Sequence, residues 1–574
     1  MSAYAIFQLR IAHLGIPDST CTQMQRPVVW DDVSIGRLKE LGFNAIQLNV
    51  AWGSRPDDEI LNLEDVVELP TELAAAMPQV VPLRCRPGAA ARERRRGELA
   101  KRVALCRRHG LRTIFHCGTP YNAHCAYGDT PPNCICDPLV AQRYAALIEV
   151  FHRDFPGVDD LWLYTYDQDA WLCSEFGSCP RCQGRPLHTR LVPFINGIAA
   201  AWRRGSPAGR TWWEPWELSA GQVMACIHDL RGETIGLALH SNIAEVMAAH
   251  PVDRWLRNAV AEGVVRGIPV VVEHFLGSAS EELEPVGCLA HPLVTWRALR
   301  AIAALPGVAG IKEYYGLDPL REDPDLRATA LFLRSPHLSE EEMLAELARL
   351  YGAAAADIIQ AWRLSGSGME LFPWDTSWFI RELGRSRTDH ALSAAMLRGQ
   401  QAHTPSWEST RRAIFMKTDD AICDPWMLED VELRCRQAAV RWAEAELAAA
   451  RAEQLVPANL RAAIAAFRRD LGRVQRRAVA YACHLRATNV CRVLRTAAES
   501  DGGLPAARIA ELGNILAESD ANHQAEVRSE SGAEWTEMAQ ARSDLAVNPR
   551  AFLATWFTES DVRSGRGHFS VTSR

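Results

Sequence analysis

The sequence predicts a (β/α)8 barrel over residues 1–330, followed by α-helical chain. Three observations lead there. Eight short apolar runs rich in β-branched and aromatic residues recur through the first 320 residues, with helical patterns between them. Polar residues gather at the carboxyl ends of those runs, and no strand-like alternation returns beyond about residue 335. Eight such alternations suit a closed barrel better than an open doubly wound sheet. No glycine-rich phosphate loop follows the first run, which argues against a dinucleotide fold.

The runs, in order, are AIFQLRIA from Ala5, FNAIQLNV from Phe43, LRTIFHCG from Leu111, LWLYTYD from Leu161, TWWEPWEL from Thr211, IGLALHSN from Ile235, IPVVVEHF from Ile268 and VAGIKEYYG from Val308. DDVSIGRLKELG precedes the second and GELAKRVALCRRHG the third. A helix, a glycine and then an apolar strand is the junction that ends a helix and begins a buried parallel strand. Insertions at 53–98 and 118–138, punctuated by proline and glycine, are expected at the barrel mouth.

Past residue 335, LSEEEMLAELARLYGAAAADIIQAWRLSGSGMEL reads as a serine-capped amphipathic helix, a glycine stop and a second helix. Residues 428–545 read as long helices, for instance EDVELRCRQAAVRWAEAELAAARAEQL, expected to form a bundle packed on the barrel. The expected division is a barrel at 1–330, a helical and aromatic-rich extension at 331–427, and a helical C-terminal domain at 428–574. The segment FPWDTSWF from Phe372 either lines the cleft as a lid or plugs the domain junction, and Trp374 is kept as a candidate substrate contact.

Of the 574 residues, 48% are hydrophobic and 23% charged, a globular composition. The net charge of -7 is mild, and nothing in it points to nucleic acid. The basic cluster ARERRRGELAKR from Ala91 reads as a solvated helix face. The start, MSAYAIFQLRIAHLG, lacks a signal-peptide pattern, so a cytoplasmic address is expected. No apolar run of about 18 residues predicts a membrane span. In that setting the 16 cysteines read mostly as reduced thiols.

In a barrel of this kind the carboxyl ends of the strands face the active site. Those ends read Asn49 and Trp52, His116, Asp167 and Asp169, Glu214 and Glu217, His240 and Asn242, Glu273 and His274, then Glu313 and Tyr314. Carboxylates on four strands at one rim are hard to explain by packing alone. Together with Trp52, Tyr164, Tyr166, Trp171, Trp212, Trp213, Trp216, Tyr314 and Tyr315, they are the equipment of sugar chemistry. Aromatic faces stack on pyranose rings, and carboxylates supply the acid, base or nucleophile that cleaves an acetal.

Asp167 and Asp169 are two residues apart, so an extended strand sends both to one face. Two close like charges raise one pKa, leaving an acid beside an ionised group. Glu273 is a candidate nucleophile or base across the pocket, with Asp167 or Asp169 as the acid. Glu217 and Glu313 are further candidates for catalysis or hydroxyl binding. Candidate substrate contacts are Trp52, His116, Tyr166, Trp213, Glu214, His240, Asn242, Tyr314 and Trp374.

The barrel plan, the two acids ending the fourth strand and the helical region opening with LSEEEMLAELARLYG resemble the glycoside hydrolase superfamily, with hexosaminidase-like and α-glucuronidase-like barrels bearing C-terminal helical domains as analogues. The resemblance covers residues 1–400. It implies a glycosidase acting on soluble oligosaccharides, with no cofactor required for catalysis. Hexosaminidase relatives carry adjacent acids where this chain has Asp-Gln-Asp, so substrate-assisted chemistry is not carried over.

Cys173, Cys179 and Cys182 form C-x5-C-x2-C directly after the acid pair. A structural zinc held by these three needs a fourth ligand, with His188, Cys134 or Cys136 as candidates; packing thiols or a redox pair are the other readings. Two other functions stay open for the chain: a non-catalytic carbohydrate-binding barrel, and a barrel lyase or metal-dependent hydrolase. The oligomeric state is open.

Overall fold

The computed structural model describes residues 6–15, 28–51, 59–76, 88–122, 133–165, 170–215, 218–241, 252, 254–280, 283, 286–374, 383–384, 388, 425–500, 503–530 and 537–556. Eight parallel strands close into a barrel in sequence order. They are β1 (Leu9–His13), β2 (Ala45–Gln47), β3 (Arg112–Gly118), β4 (Asp160–Thr165), β5 (Thr211–Pro215), β6 (Ile235–His240), β7 (Val270–His274) and β8 (Val308–Glu313). β8 closes on β1, with Leu9 opposite Gly310 and Ile11 opposite Lys312. One strand comes from each of the eight apolar runs.

Glycine does end the helices as the sequence implies. Gly110, between helix Ala89–Arg108 and β3, has φ +65°, and Gly267, between helix Arg254–Val265 and β7, has φ +67°. Both lie in the left-handed region where a side chain is strained.

Alternation along each strand divides its residues between two cores. Ile11, Ala45, Ile114, Trp162, Trp212, Ala238 and Val271 pack together as the barrel interior. Their neighbours in sequence, such as Phe115, Leu161, Trp213, Leu237 and Val272, join the larger core between strands and helices, as Ile311 of β8 does. Two residues beyond the interior layer, on the same face, come His13, Gln47, His116, Tyr164, Glu214, His240 and Glu273, with Lys312 opposite Glu273 on β8. The apolar layer is thus the floor under a polar one.

The basic helix departs from expectation. Its arginines are not simply solvated: Arg102 is 5% exposed, pairs with Glu59 at 2.8 Å and donates to the Leu48 carbonyl. Arg95 is buried against Asp65 at 3.4 Å, and Arg96 meets Asp154 at 2.8 Å. Arginine stems and forked heads fasten this helix to the barrel.

Beyond the barrel, Ser339 caps helix Glu340–Ala348 through a reciprocal capping box with Glu342. Helix Ala355–Leu371 follows, then Pro425–Leu455, Arg461–Glu499, Ala506–Glu530, Glu537–Val547 and Pro549–Trp556. The first of these long helices packs on Ala355–Leu371 so closely that a Cβ on Gly368 would lie 2.5 Å from Trp442 Nε1. The Cys288 N–H donates to Asp470 at 2.9 Å, joining the chain after β7 to helix Arg461–Glu499. Trp374 belongs to this junction. It is fully buried, donates Nε1–H to the Met369 carbonyl and lies 4.6 Å from the Phe372 ring, which in turn meets Trp442. Of the two readings of this segment, the plug describes Trp374, because an indole buried on all sides offers no face to a sugar. Among the described residues no helix is long and apolar enough to cross a membrane.

Candidate active site

The polar layer holds a buried charge cluster built from β3 to β8. Glu214 and Glu273 are each 1% exposed, on β5 and β7, and both face the barrel axis. Glu214 Oε2 accepts the Trp162 indole N–H at 2.8 Å and lies 3.3 Å from His116 Nε2. His240 Nε2 stands between the two carboxylates, 3.4 Å from Glu214 Oε1 and 3.8 Å from Glu273 Oε2. Lys312 Nζ donates to Glu273 Oε2 at 3.1 Å and rides 5.0 Å above the Trp162 ring.

The His116 proton can be placed by its partners. The Ala51 backbone N–H donates to Nδ1 at 3.2 Å, and Gln47 Nε2 lies 3.1 Å from the same atom. With Nδ1 accepting, the neutral ring carries its proton on Nε2, facing Glu214. The Asn49 side chain brackets the same residue, accepting from the His116 N–H and donating to its carbonyl.

These contacts push the two carboxyls apart. Burial alone would raise Glu214, but His116 and His240, with the Lys312 charge, hold it well below the usual carboxylate range. Burial and then the Glu214 charge push Glu273 up to about 8, against the pull of Lys312. Glu273 Oε1 is buried without a hydrogen-bond partner among the described residues. One carboxyl ionised and the other inclined to keep its proton is an acid beside a base or nucleophile.

The remaining candidates sort by strand parity. Glu273, Glu214, His116 and His240 share the interior. Tyr314 reaches the same cluster, its ring edge-on to His240 at 4.9 Å. Glu313 and Trp213 occupy outward positions. The Glu313 carboxylate accepts the backbone N–H groups of Leu276, Tyr315 and Gly316 at 2.7, 2.9 and 2.9 Å, tying the β8 end to the chain after β7. Burial raises it to about 7 in spite of those three donors. Trp213 is fully buried among strands and helices, its Nε1–H on Thr165 Oγ1 at 2.8 Å. Neither takes part in the cluster, because each sits one residue out of phase with the inward positions. Trp52, Tyr166, Asp167, Asp169, Glu217 and Asn242 lie outside the described residues.

Lys312 and Trp162 were not singled out by the sequence reading, and Gln47 was not either. The available signal was the alternation itself. Counting two back from Tyr314 in VAGIKEYYG reaches Lys312, a lysine on an inward strand position.

Among the described residues, two groups have metal-ligand composition. Glu214, His240 and Glu273 present atoms within 4.8 Å of one another, but the Lys312 ammonium already stands on Glu273 where a divalent cation would balance the charge. The second group joins the three expected cysteines to Cys134, with all four sulfurs within 4.8 Å.

Among solved structures, the fold is similar to that of a GH138 enzyme targeting pectin rhamnogalacturonan II. The TM-score is 0.60 at 11% identity, over 92% of this chain and 62% of that one. An O-GlcNAc hydrolase mutant of Thermobaculum terrenum (TM-score 0.39, 10% identity, 92% of this chain and 97% of that one) and a family 5 xyloglucanase from Paenibacillus pabuli (TM-score 0.36, 12% identity, 57% and 99%) also match. The chain spans 62% of the length of the first. At these identities the likeness is one of fold. No protein-family model and no curated protein matches the chain.

Proposed function

We propose that the protein hydrolyses glycosidic bonds in soluble oligosaccharides by carboxylate chemistry. The observation that carries this reading is the pair Glu214 and Glu273, buried at the carboxyl ends of β5 and β7 with His240 between them, His116 on Glu214 and Lys312 on Glu273, surroundings that push the two carboxyl pKa values in opposite directions. Their nearest oxygens lie within 4.8 Å. Retaining glycosidases hold their carboxyls about 5–5.5 Å apart, and inverting ones about 6.5–9.5 Å. That bound lies nearer the retaining spacing, and on this reading Glu214 is the ionised partner and Glu273 the proton donor. Trp162, His116, His240 and Lys312 set that polarity. Asp167 and Asp169 remain candidates for the acid facing Glu273 across the pocket, in which case Glu273 is the nucleophile. The GH138 enzyme of similar fold targets a pectin glycan, and this agrees with a carbohydrate substrate here.

The test is a panel of nitrophenyl glycosides, N-acetylhexosaminides and uronides included, on the wild type and on Glu214→Gln, Glu273→Gln and Asp169→Asn. Turnover that vanishes in both Gln variants but survives in Asp169→Asn assigns the chemistry to the β5/β7 pair. Loss in Glu273→Gln and Asp169→Asn with Glu214→Gln active assigns it across the pocket instead. Sugar binding without turnover across the panel returns the chain to the carbohydrate-binding reading. A metal-dependent hydrolase has one observation in its favour, the Glu214, His240 and Glu273 triad; activity lost to chelator and restored by a divalent ion, in a folded protein, is its signature.

A further inference from the structure

Four thiols meet beside the barrel mouth, on chain following two neighbouring strands. Cys134 lies on the chain after β3, and Cys173, Cys179 and Cys182 on that after β4; all four are at most 3% exposed. Cys134 Sγ is 3.3 Å from Cys182 Sγ and 3.8 Å from Cys179 Sγ, and no pair among the four exceeds 4.8 Å. Four sulfurs about 2.3 Å from one zinc ion stand about 3.8 Å apart, whereas bonded sulfurs are about 2.05 Å apart. The arrangement is that of a shared ion.

A second observation concerns charge. The Arg190 guanidinium, 3% exposed, donates to the carbonyls of Cys173 at 2.9 Å and Arg185 at 2.8 Å, and among the described residues no carboxylate pairs with it. Beside four neutral thiols it would be a buried cation with no counter-charge among the described residues. Zinc with four thiolates carries two negative charges, and Arg190 stands next to them. The Cys136 backbone N–H, 3.4 Å from Cys134 Sγ, is a further donor to the same sulfur.

We propose that Cys134, Cys173, Cys179 and Cys182 hold one structural zinc ion, with Cys134 as the ligand that closes the set. Cys179 and Cys182 share one tight turn, in which the Cys182 N–H donates to the Cys179 carbonyl at 3.0 Å. The ion clips the chain after β3 to the chain after β4. A polar clip runs alongside, in which the Asn122 side chain donates to the Asn133 and Trp171 carbonyls at 3.1 and 2.7 Å. Arg181 pairs with Asp137 at 2.9 Å across the same seam. The zinc thereby anchors the chain from Ala170 onward after β4, whatever chemistry the barrel performs.

Protein purified without chelator should hold about one zinc per chain by plasma mass spectrometry, with four sulfur neighbours at about 2.3 Å in its X-ray absorption spectrum. Cys134→Ser and Cys182→Ser should lower the zinc content at least about fivefold, whereas Cys136→Ser retains it. Zinc lost equally from Cys136→Ser would overturn Cys134 as the closing ligand. Because the ligand variants can fail to fold, the wild-type protein carries a test of its own. Less than half an equivalent of zinc, iron in its place, a mixed nitrogen or oxygen shell, or an intact mass reporting disulfides among these cysteines would each overturn the assignment.

Discussion

Replacing Glu273 by glutamine should stabilise the protein, by an amount that grows with pH. Burial, then the charge of Glu214, raises the Glu273 carboxyl from 4.5 to about 8, and Lys312 only partly offsets them. In the unfolded chain the same group ionises near 4.5. Between these values the folded protein therefore holds a proton that the unfolded chain has released, and stability falls as the pH rises. The contribution is fully present below pH 4.5 and lost as the pH climbs through 8. At pH 7 the loss is on the order of 3 kcal/mol, from about 1.4 kcal/mol per pH unit. Glutamine has nearly the same shape, keeps an oxygen for the Lys312 ammonium and does not titrate. The variant should match the wild type to within about 1 kcal/mol near pH 5 and exceed it by roughly 3–4 kcal/mol at pH 7–8, as read from urea unfolding of both proteins at pH 5, 6.5 and 8. Groups common to both proteins cancel in the difference. A difference flat across that range, or a variant that loses ground as the pH rises, would mean instead that Lys312 holds Glu273 ionised in the fold. On the hydrolytic reading the same change lowers turnover by about 100-fold or more, so the stabilised protein is also the inactive one.

Removing a donor from Glu214 acts in the opposite sense: His116→Leu should raise its pKa and move the acid limb of the pH–rate profile upward, and an unmoved limb would release Glu214 from its role. His274, fully buried, is lowered from 6.5 to about 4, by burial first and then by His291. Its stability contribution is present above pH 6.5 and disappears as the pH falls to 4, on the order of 3 kcal/mol, and His274→Asn should flatten that part of the acid unfolding curve. Gly368→Ala places a Cβ 2.5 Å from Trp442 Nε1, so despite better helix propensity it should destabilise by about 1–3 kcal/mol in denaturant titrations; a neutral result would show that helices Ala355–Leu371 and Pro425–Leu455 can move apart freely. If the four cysteines hold zinc as proposed, stripping it should lower the melting temperature by about 5 °C or more, with activity falling only in parallel, and activity lost with the melting temperature unchanged would argue for a catalytic metal.

The barrel was legible because its signals are local. Each strand needs a short β-branched or aromatic run, each helix an amphipathic stretch and a stop, and Gly110 and Gly267 mark the stops by a backbone conformation that few other residues adopt. The rim was legible for a similar reason. All eight strands are parallel, so their carboxyl ends meet at one mouth whatever the details, and Glu214, Glu273, His116 and His240 come together from four separate strands.

What the sequence left undetermined depends on phase and on distance along the chain. Alternation says that Glu313 and Lys312 face opposite ways, but not which of them faces the axis. That is decided by the register of β8 against both β1 and β7, set only when the barrel closes. It put the lysine in the cluster and turned Glu313 to backbone N–H groups, and the same rule separated Trp212 from Trp213. Trp374 could have stood at a cleft or at a seam until the long helices brought Trp442 against Phe372. Cys134 was only one of three candidates to complete the cysteine set, because it approaches that set through neighbouring strands and not through adjacent sequence. Local chemistry in the sequence decided which elements form and where polar groups gather; which of those groups touch was decided by closure of the sheet, since contact depends on the register of strands that only tertiary packing brings together.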